Sequence, residues 1–159
     1  MRFRLAVGVL LTLLPFAAAT ETPPAKKPAV ARKSAEDALE IPAAARDRKN
    51  PLTASPETLR PGRALWQNHC ETCHGAQGRG DGPNARLHER RKGHAPRNLT
   101  DPNVQENLTD GELFYRITKG IIEGDSIIMP SFEQKVPPEN ERWQLVLYVR
   151  ELGQAATQK

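Results

Sequence analysis

The chain has 159 residues, 38% of them apolar and 5% aromatic, with two cysteines and a formal charge of +4. Two cysteines exclude a disulfide scaffold, and the charged, proline-rich remainder excludes a membrane bundle and a coiled coil. The low apolar and aromatic content leaves one domain of roughly 100 residues with a thin core, plus a tail.

Residues 1–19 read as a secretory signal. Arg2 and Arg4 form a basic start, Leu5 to Phe16 is apolar, and Ala17-Ala18-Ala19 supplies small residues for cleavage before Thr20. An uncleaved anchor is the competing reading. However, a spanning helix needs about 20 apolar residues, and this stretch is shorter and contains Pro15. No cysteine stands at the leader's end to take a lipid. Of 23 Lys and Arg, two leave with the leader, so 21 face 19 acidic residues and the exported chain is near +2. The expectation is a periplasmic or otherwise exported protein without stable membrane insertion.

Residues 20–56 are rich in Pro, Ala and Lys. Val30, Leu39, Ile41 and Leu52 are the sizeable apolar groups, too few to offset the entropy of ordering the stretch. It is expected to be a disordered or polyproline-like tail, with a short helix allowed over Ser34 to Leu39. A spacer is the plain reading and a docking arm the alternative.

Residues 57–155 carry three helical patterns. Pro61 suits a first helical position, and Gly62, Leu65, Trp66, His69 and Cys73 follow at helical spacing. Thr109-Asp110-Gly111-Glu112 is a capping box opening a helix with Leu113, Phe114 and Ile117 on its apolar face and Gly120 as its stop. Pro137-Pro138-Glu139 opens the last helix. There Leu145, Tyr148, Val149 and Leu152 repeat at i, i+3, i+4 and i+7, and Gly153 is the expected end. No stretch alternates like a strand, so the fold class is all-α. Three short helices and an irregular stretch from His74 to Thr109 bury too little apolar surface to stand alone. A large, flat, apolar group at the centre would supply the missing core.

Cys70-Glu71-Thr72-Cys73-His74 points to that group. Two thiols three positions apart can reach two substituents on one edge of a planar ring. The histidine that follows can turn its imidazole to a metal at the ring's centre. C-x-x-C-H attaches haem in this way, through thiol addition to the vinyl groups with His74 as the proximal iron ligand. A redox dithiol and a zinc site are the alternatives. The first lacks βαβ surroundings. The second lacks another cysteine pair, though His69, His88 and His94 are available.

Gly62, Trp66, Cys70, Cys73, His74 and Gly75 resemble the opening of the small single-haem class I cytochromes c. The likeness continues in order through Gly80-Asp81-Gly82-Pro83, Pro96-Arg97-Asn98-Leu99-Thr100, Asp110 to Phe114, Met129-Pro130-Ser131-Phe132 and Trp143 to Leu152. It implies a small cytochrome c fold, three to five short helices wrapped around one covalently bound haem c and its iron. It also implies that Met129 supplies the sixth iron ligand. Met129 is the single methionine after the leader, beside Pro130 in an irregular stretch and not on an amphipathic face. A soft thioether favours ferrous iron and raises the potential relative to a second histidine. Packing is its alternative role. His88 and His94 are rival ligands, although an unliganded surface histidine is the commoner outcome for each, whereas His69 lies on the helix of Cys70 and is expected to pack or face solvent. By the same resemblance, the Pro96 carbonyl accepts the other ring N–H of His74.

From Arg86 to Arg97 five positive residues face Glu89 alone. They read mostly as a solvated loop, with Arg97 a candidate for the haem propionates and steering of an acidic redox partner as an alternative. Nucleic acid is disfavoured, because the aromatics fall at helix-core positions. The combined reading is an exported one-electron carrier, with redox proteins as donor and acceptor and no catalytic residue. The alternatives are the electron-transfer subunit of a larger oxidoreductase complex and a haem sensor with an open sixth site.

Overall fold

The computed structural model describes residues 40–158. The leader, residues 20–39 and the short helix allowed over Ser34 to Leu39 lie outside the described residues. The described chain forms α1 (Ala43–Arg46), α2 (Pro56–His69), α3 (Glu71–His74), α4 (Ala85–Lys92), α5 (Pro102–Asn107), α6 (Asp110–Lys119), β1 (Ile121–Glu123), β2 (Ser126–Met129) and α7 (Glu139–Thr157).

Helices α2 and α7 cross at the backbone. A Cβ on Gly62 would lie 2.3 Å from the Gln144 carbonyl oxygen, so only glycine admits this approach. Around the crossing, Trp66, Phe114, Trp143, Leu145, Val146 and Val149 are almost wholly buried. The Phe114 and Trp143 rings stack at 4.0 Å and join α6 to the same core. Arg150 on α7 holds the start of α6, through Asp110 at 2.8 Å and the Leu108 carbonyl at 2.5 Å.

Two helix ends differ from expectation. Helix α2 begins at Pro56, not Pro61, because Ser55 and Thr58 form a reciprocal cap more than a turn earlier. Pro61 therefore sits inside the helix, where it forfeits one backbone hydrogen bond. Helix α7 runs through Gly153 to Thr157. Gly153 makes room for Gln105, whose side chain would lie 2.4 Å from an added Cβ and which donates to the Val149 carbonyl at 3.2 Å. Helix α6 starts on Thr109 and ends on Gly120 as its sequence implies, with Glu112 N–H donating to Thr109 Oγ1 at 3.1 Å.

Two regions hold elements that were not legible as such. The stretch from His74 to Thr109 contains α4 and α5, so most of the basic cluster lies on a helix, not a loop. A two-stranded antiparallel hairpin follows α6, with Ile122 opposite Ile127 and a bulge beside Ile121. Its strands have three and four residues, too short to show alternation.

The expected disorder of residues 20–56 does not hold for its last part. Residues 40–56 are placed as a strap across the N-terminal ends of α6 and α7. Ile41 is 5% exposed. The Arg48 guanidinium lies 4.6 Å from the Phe114 ring centre and 5.0 Å from that of Trp143. Asn50 donates to the Trp143 carbonyl at 3.0 Å, and Thr109 donates to the Arg46 carbonyl at 2.7 Å. A thin apolar budget is supplemented here by cation–π and backbone contacts that a count of hydrophobic residues does not register.

Candidate functional site

The C-terminal end of α2 passes through Cys70 directly into the single turn of α3, which carries Cys73 and His74. The loop beyond it folds back onto that turn. Gly80 N–H donates to the His74 carbonyl at 2.8 Å, Gly82 N–H to the Cys73 carbonyl at 3.2 Å and Asn84 N–H to the Thr72 carbonyl at 2.8 Å. Trp66 from α2 donates its indole N–H to the Gly75 carbonyl at 3.2 Å, and its ring centre is 5.9 Å from that of His74. The pentapeptide is thus clamped on both sides.

His74 Nδ1 lies 3.2 Å from the carbonyl oxygen of Arg97. A carbonyl only accepts, so Nδ1 carries the proton and Nε2 presents a lone pair. The orienting residue is therefore Arg97 and not Pro96, as the resemblance had implied. The Pro96 carbonyl is turned onto Gly80, where an added Cβ would come within 2.3 Å of it, and the next carbonyl in the chain is left for the imidazole. Desolvation lowers the His74 pKa, partly opposed by the Arg97 hydrogen bond, which keeps the ring neutral and competent as a ligand. Burial, with Cys73 close by, pushes the Cys70 thiol up to about 12. Both cysteines are free thiols in the structure.

Cys70, His74 and Met129 together line two adjoining cavities of about 580 and 530 Å³, their open mouths included. The first is also bounded by Cys73, Pro96 and Arg97, the second by Leu99, Leu113, Ile117 and Val149. Met129 ends β2, and the backbone after it is seated on Gly120, where a Cβ would meet Met129 O at 2.5 Å. Ser131 donates to the Thr118 carbonyl at 2.6 Å, and Phe132 N–H to the Ile117 carbonyl at 3.0 Å. Two thiols, one imidazole nitrogen with a free lone pair and one thioether around an apolar space form the donor set of haem c. The residues present fit that group.

His69 and His88 also line the first cavity, and each of the other histidines has a contact of its own. His69 packs edge-on against Phe132 with ring centres 6.0 Å apart. His94 Nε2 lies 2.6 Å from a Glu123 carboxylate oxygen. Both ring nitrogens of His88 meet backbone carbonyls, His94 O at 2.9 Å and Ile128 O at 2.6 Å. The sequence offers His88 and His94 as rival iron ligands, as recruits to a zinc site or as unliganded surface histidines, and nothing in it pairs them with the hairpin. No group of three or more His, Cys, Asp or Glu side chains placed to hold a metal ion occurs among the described residues.

Residues 57–149 match the family described as cytochrome c oxidase, cbb3-type, subunit III, and the chain belongs to it. It is a monohaem c-type cytochrome, an electron-transfer protein that carries haem c and its iron covalently. A chain of the Kuenenia stuttgartiensis reducing HAO-like protein complex Kustc0457/Kustc0458 is a structural neighbour at 27% identity and TM-score 0.49. That alignment covers 64% of this chain and 46% of the neighbour, so this chain spans less than half of its length. The KustC0563 c-type cytochrome is another, at 27% identity and TM-score 0.46, covering 57% of this chain and 95% of that one. No curated protein matches the chain. Among the described residues, no helix is long and apolar enough to cross a membrane.

Proposed function

We propose that this protein is an exported one-electron carrier in which Cys70 and Cys73 would hold the haem, and His74 and Met129 would bind its iron. Bound haem c supplies an iron centre that changes oxidation state by one electron. The chain's own contribution is to place, tune and cover that centre. Arg97 has two parts. Its carbonyl fixes the proximal imidazole, and its position in the cavity wall suits its guanidinium to the propionate carboxylates. The apolar wall of Leu99, Leu113, Ile117 and Val149 would keep water from bound haem, and this burial together with the Met129 thioether would favour the less charged ferrous state. With His74 and Met129 both holding the iron, the protein would transfer electrons without binding a substrate there.

The carrying observation is that His74, with Nδ1 occupied and Nε2 available, shares both cavities with Met129 and Cys70. Met129→Ala tests it. The variant should keep haem through denaturing electrophoresis, lose the far-red sulfur-to-iron band of the ferric protein and shift to lower potential. An unchanged potential would remove Met129 from the ligand set. A second reading, a subunit of a larger oxidoreductase complex, is favoured by the family description itself. Stoichiometric co-purification with a redox partner separates it from a free shuttle.

A further inference from the structure

The hairpin that ends in Met129 has little apolar anchorage at its tip. Ile122 and Ile127, paired across the strands, are 60% and 54% exposed. Its downstream end is held by Gly120, Ser131 and Phe132, as described above. Its upstream side meets α4 through a different contact, a single imidazole. His88 Nε2 reaches the carbonyl of Ile128, the residue before Met129, while Nδ1 reaches the carbonyl of His94.

We infer that His88 is a positioning residue for the Met129 segment, its ring bridging the His94 carbonyl just beyond α4 and the Ile128 carbonyl of β2 at 2.9 and 2.6 Å. His94, in the stretch after α4, reaches the other strand, its Nε2 2.6 Å from a Glu123 carboxylate oxygen of β1. The inference rests on the Met129 reading only for its redox consequence, since the hairpin is fastened whether or not the thioether binds iron.

The test uses the full-length, haem-loaded ferrous protein. Amide hydrogen exchange over residues 121–129 should accelerate at least about tenfold in His88→Phe, which keeps a ring and removes both nitrogens, and by less in His88→Gln, which keeps a donor. Unchanged exchange in His88→Phe overturns the inference. The ferric far-red band separates the two readings. If wild type lacks it while His88→Phe still loosens the hairpin, the ligand assignment falls and the positioning role stands. If the band is present and exchange is unchanged, the reverse holds.

Discussion

Gly111→Ala gives the strap a test in which two physical effects carry opposite signs. Gly111 is the second residue of α6, and alanine in place of glycine within a helix ordinarily stabilises by up to about 1 kcal/mol. Here the added Cβ would stand 2.0 Å from the Ala45 carbonyl oxygen, 2.9 Å from that of Arg48 and 3.0 Å from that of Arg46. All three neighbours are backbone, so no side-chain rotation relieves the overlap. The strap must move as a unit or leave. Overpacking of this kind costs about 1–3 kcal/mol, which set against the helical gain leaves a net loss of up to about 2 kcal/mol. For a domain of this size that is a fall in Tm of up to roughly 12 °C. Thermal unfolding of the haem-loaded variant reads the sign directly, and limited proteolysis between residues 41 and 56 should show the strap opened. A variant more stable than wild type, with an uncut strap, would refute the placement of residues 40–56 on α6.

The Arg48–Glu139 pair predicts an acid-side effect. The hydrogen bond from Arg48 holds the Glu139 carboxyl below its ordinary value, so its contribution is complete above the usual carboxylate range and disappears as pH falls through the lowered value. Glu139 is largely exposed, so the effect is small. Denaturant midpoints between about pH 3 and 7 should fall less steeply on the acid side in Glu139→Gln. Gly82→Ala tests the clamp on the attachment turn, because its Cβ would lie 2.6 Å from the carbonyl oxygens of both Glu71 and Thr72. It should destabilise by about 1–3 kcal/mol and lower the yield of haem-loaded protein, measured as the ratio of Soret to protein absorbance.

The features legible in the sequence were those encoded within a few residues. Thr109 and Glu112 cap each other across one turn, and Gly120 stops the same helix, so α6 needed no tertiary information. Cys70, Cys73 and His74 were legible because attachment to one ring edge demands that spacing. What stayed hidden depends on distant partners. Pro96 and Arg97 are adjacent, and which carbonyl meets His74 is decided by the approach of Gly80, sixteen residues upstream of Pro96. Gly153 reads as a stop until Gln105 is seen filling the space it leaves. The strap is the largest such case. Its single deeply buried aliphatic group, Ile41, looks trivial in a proline-rich stretch, and the rings under Arg48 lie more than sixty residues away in the chain.

That strap separates the inherited unit from the mechanical one. The family match opens at residue 57, yet a chain cut there would leave the stacked Phe114 and Trp143 without the guanidinium above them and the Trp143 carbonyl without Asn50. A graft or fusion designed on the family border would sever a working joint. In the intact chain, whatever precedes residue 40 departs from a fixed mooring at the heads of α6 and α7. A pull on that leash is thus borne first by Ile41 and Arg48, before it reaches the turn that holds the thiols.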